Sequence, residues 1–226
     1  MLALGMIAAL AMPGTAQATP QLGDLGVKQS MSVKASNGES LEGKDLRAIQ
    51  LGTYTAASVD GNTIVGYDLT TNTALASDIT AAAKAAGATD TNLTVNGKND
   101  PMVWVVKNLT DSRSDPWSGK LRNFCNSLAK QTNFAKQDGT AVSTLSQDKA
   151  TMSTGNVLVP GIYAIVDRTP ATTTLSSGTA IKTTASIMMM NGTAVNGVNQ
   201  LRTAGGTTLT LGQVIYKVSN VESPDK

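Results

Sequence analysis

Apolar and polar positions alternate with a period of two over both ends of the chain and take helical spacing across its middle. That pattern predicts strands, then helices, then strands again. Gln21 to Val33 alternates through Val27, Gln29, Met31 and Val33 and is read as a first strand. Leu46 to Ala56 is read as a second, with Leu46, Ala48 and Gln50 on one face and Ile49 and Leu51 on the other. Asp60-Gly61-Asn62 is a hairpin signal, and Thr63 to Leu69 returns as a strand. The most apolar β-prone stretch after the N-terminal run is Asn156 to Pro170. Within it Ile162 to Val166 runs without a charge as far as Asp167, which predicts a central strand covered on both faces. Ile181 to Met190 and Thr207 to Val218 are the remaining strand-like segments. In the last of these Val214, Tyr216 and Val218 are expected to face the core.

Between the strand blocks, Leu75, Ile79, Ala82, Ala83 and Ala86 fall at helical spacing within Ala74 to Ala88, and Gly87 suits a helix end. Asp100-Pro101 and Asp115-Pro116 each read as an N-cap followed by proline in the first turn. Met102, Val105, Val106 and Leu109 follow the first signal. Trp117, Leu121, Phe124, Cys125, Leu128 and Thr132 follow the second, on one face of an amphipathic helix. The layout predicts a mainly β (α+β) domain, an immunoglobulin-like β-sandwich with a helical insertion over about 74–135.

The first residues bear on compartment. Leu2 to Met12 is apolar and uncharged, Pro13-Gly14 breaks it, and Ala16-Gln17-Ala18 has the small-x-small form of a cleavage site. Residues 1–18 are therefore expected to be a signal peptide, although no Lys or Arg precedes the apolar run. The run is too short for a bilayer anchor, and no membrane segment is expected in the mature chain. Residues 19–219 are expected to form the domain, and 220–226 a linker to a following one.

Composition narrows the chemistry. A net charge of +2 and 4% aromatics give neither the basic footprint nor the stacking platforms of a nucleic-acid binder. The chain has no histidine, which removes Ser-His-Asp and Cys-His catalysis and histidine metal sites. Cys125 is the one cysteine, so no internal disulfide forms, and its place on an apolar helix face marks it as a small buried hydrophobe. Asp111 and Asp115 are read as loop and cap residues, since their spacing fits no calcium loop. Neither a metal nor a cofactor is expected.

Three stretches carry a resemblance to a family. They are L-R-A-I-Q-L-G-T-Y followed by G-N-T-I-V-G-Y; D-P-M-V-W-V-V-K-N-L followed by D-P-W-S-G-K-L-R-N-F; and P-G-I-Y-A-I-V-D. With the export signal, they make the mature chain similar to the N-terminal domain of a sortase-assembled pilin, or fimbrial subunit, of Gram-positive actinobacteria. The resemblance implies subunits joined end to end by a pilus-specific sortase, which acylates a lysine of one subunit with the C-terminal threonine of the next. That lysine usually ends a Tyr-Pro-Lys motif at the last strand of the domain. Here the corresponding place reads G-Q-V-I-Y-K-V-S-N, without the proline or the motif's upstream tryptophan, and makes Lys217 the candidate acceptor. Period-2 alternation turns Lys217 outward if its neighbours face the core, although outward lysines on edge strands also serve simply to block pairing.

The resemblance further implies an internal Lys–Asn amide cross-link promoted by a buried acid. Asp167 is the candidate acid, but the charged Arg168 beside it marks the strand's exposed end, and no internal bond is expected. Lys226 is the candidate cross-linking lysine of a following domain. No Leu-Pro-x-Thr-Gly sorting signal is present, so a pilin of this kind would be a piece of a longer subunit or a shortened gene.

These readings converge on a non-enzymatic structural subunit of a covalent, cell-wall-attached surface fimbria. Its partners would be other pilin subunits, the sortase, and a host glycan or matrix protein, and its sandwich would bear tension. The alternative is a secreted adhesin or carbohydrate-binding module, which needs exposed aromatics. Trp104 and Trp117 are instead expected to face a core.

Overall fold

The structure, a computed structural model, describes residues 20–36, 39–109, 119–170, 172–174, 180–183, 188–203, 206–216 and 220–222. It is mainly β with mixed sheets, strand exceeding helix. Four strands come first: β1 (Gln21–Leu22), β2 (Ser32–Ala35), β3 (Leu46–Asp60) and β4 (Thr63–Thr71). The helices follow: α1 (Ala76–Ala85), α2 (Pro101–Asn108), α3 (Lys120–Leu128) and α4 (Thr132–Ala135). A small hairpin of β5 (Thr94–Val95) and β6 (Lys98–Asn99) sits between α1 and α2. Then come β7 (Thr140–Val142), β8 (Thr144–Leu145), β9 (Thr151–Ser153) and β10 (Gly161–Asp167). The chain continues through β11 (Thr172–Thr174), β12 (Ala180–Thr183), β13 (Met188–Gly192), β14 (Gln200–Arg202), β15 (Thr208–Thr210), β16 (Gln213–Tyr216) and β17 (Asn220–Glu222).

Among the described residues the largest sheet runs β13-β10-β3-β4-β14-β15, with β1 and β7 also on β3. A second runs β16-β2-β9-β8, and a third β11-β12-β17. The large sheet is covered on both faces because β3 and β10 are apolar on both. Ile49, Leu51, Ile162 and Ala164 join the helices' Leu75, Ile79, Met102, Phe124 and Leu128 in one core. Leu46, Ala48, Tyr163 and Ile165 join Met31, Val33, Met152, Val214 and Tyr216 of the second sheet in another. The expected two-sided burial of the Ile162–Val166 run is thus found, as is the division of β3's faces. At Gly161 a β-carbon would come within 2.2 Å of the Gly52 carbonyl oxygen, so only glycine lets β10 lie this close to β3.

Several boundaries depart from the sequence pattern. Gln21 to Val33 is not one strand. Asp24 accepts a hydrogen bond from the Gly26 amide (2.8 Å), and this side-chain turn separates β1 from β2. Ile181 to Met190 divides between sheets, β12 pairing with β11 and β17, and β13 with β10. Thr207 to Val218 also divides. Gly212, at φ 79°, takes the chain out of the large sheet, where β15 pairs with β14, and into the second, where β16 pairs with β2.

In the helical stretch, Asp100 takes the N-cap position of α2 with Pro101 in the first turn, as expected, but its carboxylate does not bond the helix's own amides. Its carboxylate instead accepts from the amide and hydroxyl of Thr71, and the Thr71 hydroxyl accepts from the Met102 amide (3.0 Å). Helix α3 starts at Lys120 after Gly119, and Asp111, Asp115, Pro116 and Trp117 lie outside the described residues. Thr132 is exposed because α3 ends at Leu128 and a separate turn of helix, α4, buries Phe134 in its place. Among the described residues, no helix is long and apolar enough to cross a membrane.

Candidate functional site

Among the described residues, charged side chains lie deep in the second core where strand β10 ends. Alternation along β10 puts Tyr163, Ile165 and Asp167 on the same face, so Asp167 points toward the second sheet and is only 5% exposed. Its pairing with Leu46 brings the turn before β3 alongside, and with it Lys44. The Lys44 amine lies 3.9 Å from Asp167 Oδ2, and the two side chains are 3% and 1% exposed. The Tyr216 hydroxyl of β16 donates to the same oxygen. The Thr169 amide donates to Oδ1 at 2.8 Å. The Lys44 amine also sits 5.7 Å from the centroid of the Tyr216 ring, within the reach of a cation–π contact.

The cluster therefore joins three pieces of chain: the end of β10, the turn before β3, and the end of β16. A second tie runs beside it. The Asp45 amide donates to the Thr169 hydroxyl (2.9 Å), and the Arg168 amide donates to the Asp45 carbonyl (2.8 Å). Burial, followed by the hydrogen bond to Asp167, pushes the Tyr216 phenol well above its ordinary range, so Tyr216 acts as a donor. A buried ion pair persists only when hydrogen bonds compensate its lost hydration. Here Thr169 and Tyr216 supply those bonds to the carboxylate. The arrangement can fix three segments against one another.

Asp167 corrects the sequence reading. It was expected at an exposed strand end because Arg168 follows it, yet it is buried. Arg168 points the other way, and its guanidinium donates to the carbonyls of Ala135 (3.1 Å) and Gln137 at the end of α4. Alternation alone places Asp167 and Arg168 on opposite faces; the apolar run before them was the available signal. Nothing in L-E-G-K-D-L, which reads as a charged turn, marks Lys44, and only the β3–β10 register reveals its neighbour.

Lys217 and Lys226 lie outside the described residues. Up to Tyr216, β16 alternates as expected, with Gln213 and Ile215 exposed and Val214 and Tyr216 buried. Trp104 is buried on α2. Cys125 is buried as expected, and burial pushes its thiol up to about 11. Compared with protein-family models, curated proteins and solved structures, the chain matches none of them.

Proposed function

We propose that the chain is a structural subunit of a covalently joined, cell-surface fimbria, with Lys217 as the amine that receives the neighbouring subunit. The supporting observation is the burial pattern of β16. Val214 and Tyr216 point inward while Gln213 and Ile215 point out, which is the alternation on which the outward reading of Lys217 depends. The mainly β fold, with a large sheet covered on both faces, suits a load-bearing module. In this reading the two facing sheets are an immunoglobulin-like sandwich, and the helices between β4 and β7 are an insertion on it. Asp167 is the ion-pair partner of Lys44 and leaves the domain without an internal amide bond. Export delivers the chain to the wall.

The test is to incubate the protein with a pilus-class sortase and a sorting-signal peptide, then map the product by mass spectrometry. Peptide on Lys217, lost in Lys217→Arg, is the expected result. Unmodified protein, or label scattered over many lysines, overturns the reading. Intact mass tests the role of Asp167. The full unmodified mass is expected, and the loss of one water or one ammonia would show a cross-link instead.

A further inference from the structure

We infer that β2 and β16 form a mechanical clamp, loaded in shear when the two ends of the chain are pulled apart. The two strands are neighbours and run parallel, Ser32 to Ala35 pairing with Gln213 to Tyr216. The chain enters β2 at one end of this ladder and leaves β16 at the other. Tension between the flanking segments therefore slides the strands past each other along their length. In an antiparallel pair of first and last strands, the same tension would act at one end and open the bonds one by one.

Here the ladder bonds take the load together. Among the described residues, what lies outside the clamp is small: β1 is a two-residue strand on β3, Gln29 forms a single two-way bridge with Leu158, and β17 is a three-residue strand on β12. These peel first and pass the force inward.

Further hydrogen bonds reinforce both ends of the sliding strand. At its start, the Gly212 carbonyl accepts from the Ser32 amide (2.8 Å), and the Asn191 carboxamide donates to the Gln213 carbonyl (2.6 Å). At its end, Tyr216 donates to Asp167 beneath the Lys44 amine. Val33, Ala35, Val214 and Tyr216 are buried in one core, so sliding also exposes apolar surface. The load-bearing purpose rests on the fimbrial reading; the geometry does not.

The experiment is single-molecule force spectroscopy on the full chain held by handles at its two ends. It is compared with the same chain held at Ser36→Cys and its C-terminal end. The second attachment pulls on the same end of both strands and converts shear into unzipping. Buried Cys125 does not compete for the handle in the folded protein. End-to-end pulling is expected to give one dominant rupture, at severalfold higher force than the Ser36 attachment. Asn191→Ala, which removes the donor to Gln213 at the far end of β16, is expected to lower the end-to-end force and leave unchanged the force at which unzipping begins at the Ala35–Tyr216 end, a difference that a general loss of stability would not produce. Equal forces in the two geometries, or end-to-end extension without a dominant rupture, would overturn the clamp. A clamp in a protein that no sortase labels would keep this inference and sink the acceptor assignment. Labelling without a clamp would do the reverse.

Discussion

Asp167 faces the Lys44 amine and accepts from the Tyr216 hydroxyl and the Thr169 amide, so substitutions in the cluster separate what the ion pair and a hydrogen bond contribute. Asp167→Ala takes the carboxylate away from the buried Lys44 amine, and breaking a buried pair in this way costs about 3–5 kcal/mol. Tyr216→Phe removes one hydrogen bond to a charged group and should cost less, about 1.5–3 kcal/mol. Urea unfolding midpoints of the two variants check the order; equal losses would mean that Lys44 finds another partner when Asp167 is gone. Cys125 makes a simpler prediction. With its thiol buried and raised to about 11, it should not react with a thiol reagent at neutral pH until the protein unfolds. Fast labelling of folded protein would contradict the packing of α3.

The smallest helix depends on a distant carboxylate. Asp78 of α1 is buried and accepts from the Phe134 amide (2.8 Å) and the Asn133 carboxamide (3.0 Å) at the start of α4. Asp78→Ala leaves the Phe134 amide unpaired in the core, a loss of about 1–3 kcal/mol. Hydrogen exchange should speed up first at residues 132–135. Uniform acceleration across the whole chain would place the defect elsewhere.

This contact also shows why elements were more legible than their ends. Apolar spacing located α1, α2 and the buried face of α3 because burial sets that spacing. It extended the last face to Thr132 because it could not see Asp78 folding back to start a new turn at Phe134. In the same way, alternation placed β3 and β10 but carried two candidate strands across points where the chain changes sheets. At Gly212 the cause is a backbone turn, and a pattern of side chains does not record it.

At the scale of the molecule, stability should fall in alkali. Burial raises the phenols of Tyr54, Tyr163 (to about 12) and Tyr216 above the ordinary 10.0, and the Cys125 thiol from 9.0. The folded state therefore holds protons that the unfolded chain releases. These groups contribute fully below pH 9.0 and lose their contribution as pH climbs through 9.0 and 10.0 toward the folded values. Unfolding midpoints measured from pH 7 to 11 should stay level with respect to these groups and then drop. A flat profile to the end would mean that the phenols ionise without unfolding.

The candidate site was half legible for a related reason. Asp167 stood out in the sequence, whereas Lys44 became its neighbour only through a register between segments far apart in the chain.

That register has a consequence for how the protein is made. The middle of the large sheet cannot close until the segment ending at Asp167 has been synthesised, because β10 lies between β3 and β13 and pairs with β3 across the whole helical region. Pairings of this range are slow to form. A nascent chain that has produced only its first strands and helices still has an open flank on β3, and it stays extensible there until its later portion arrives.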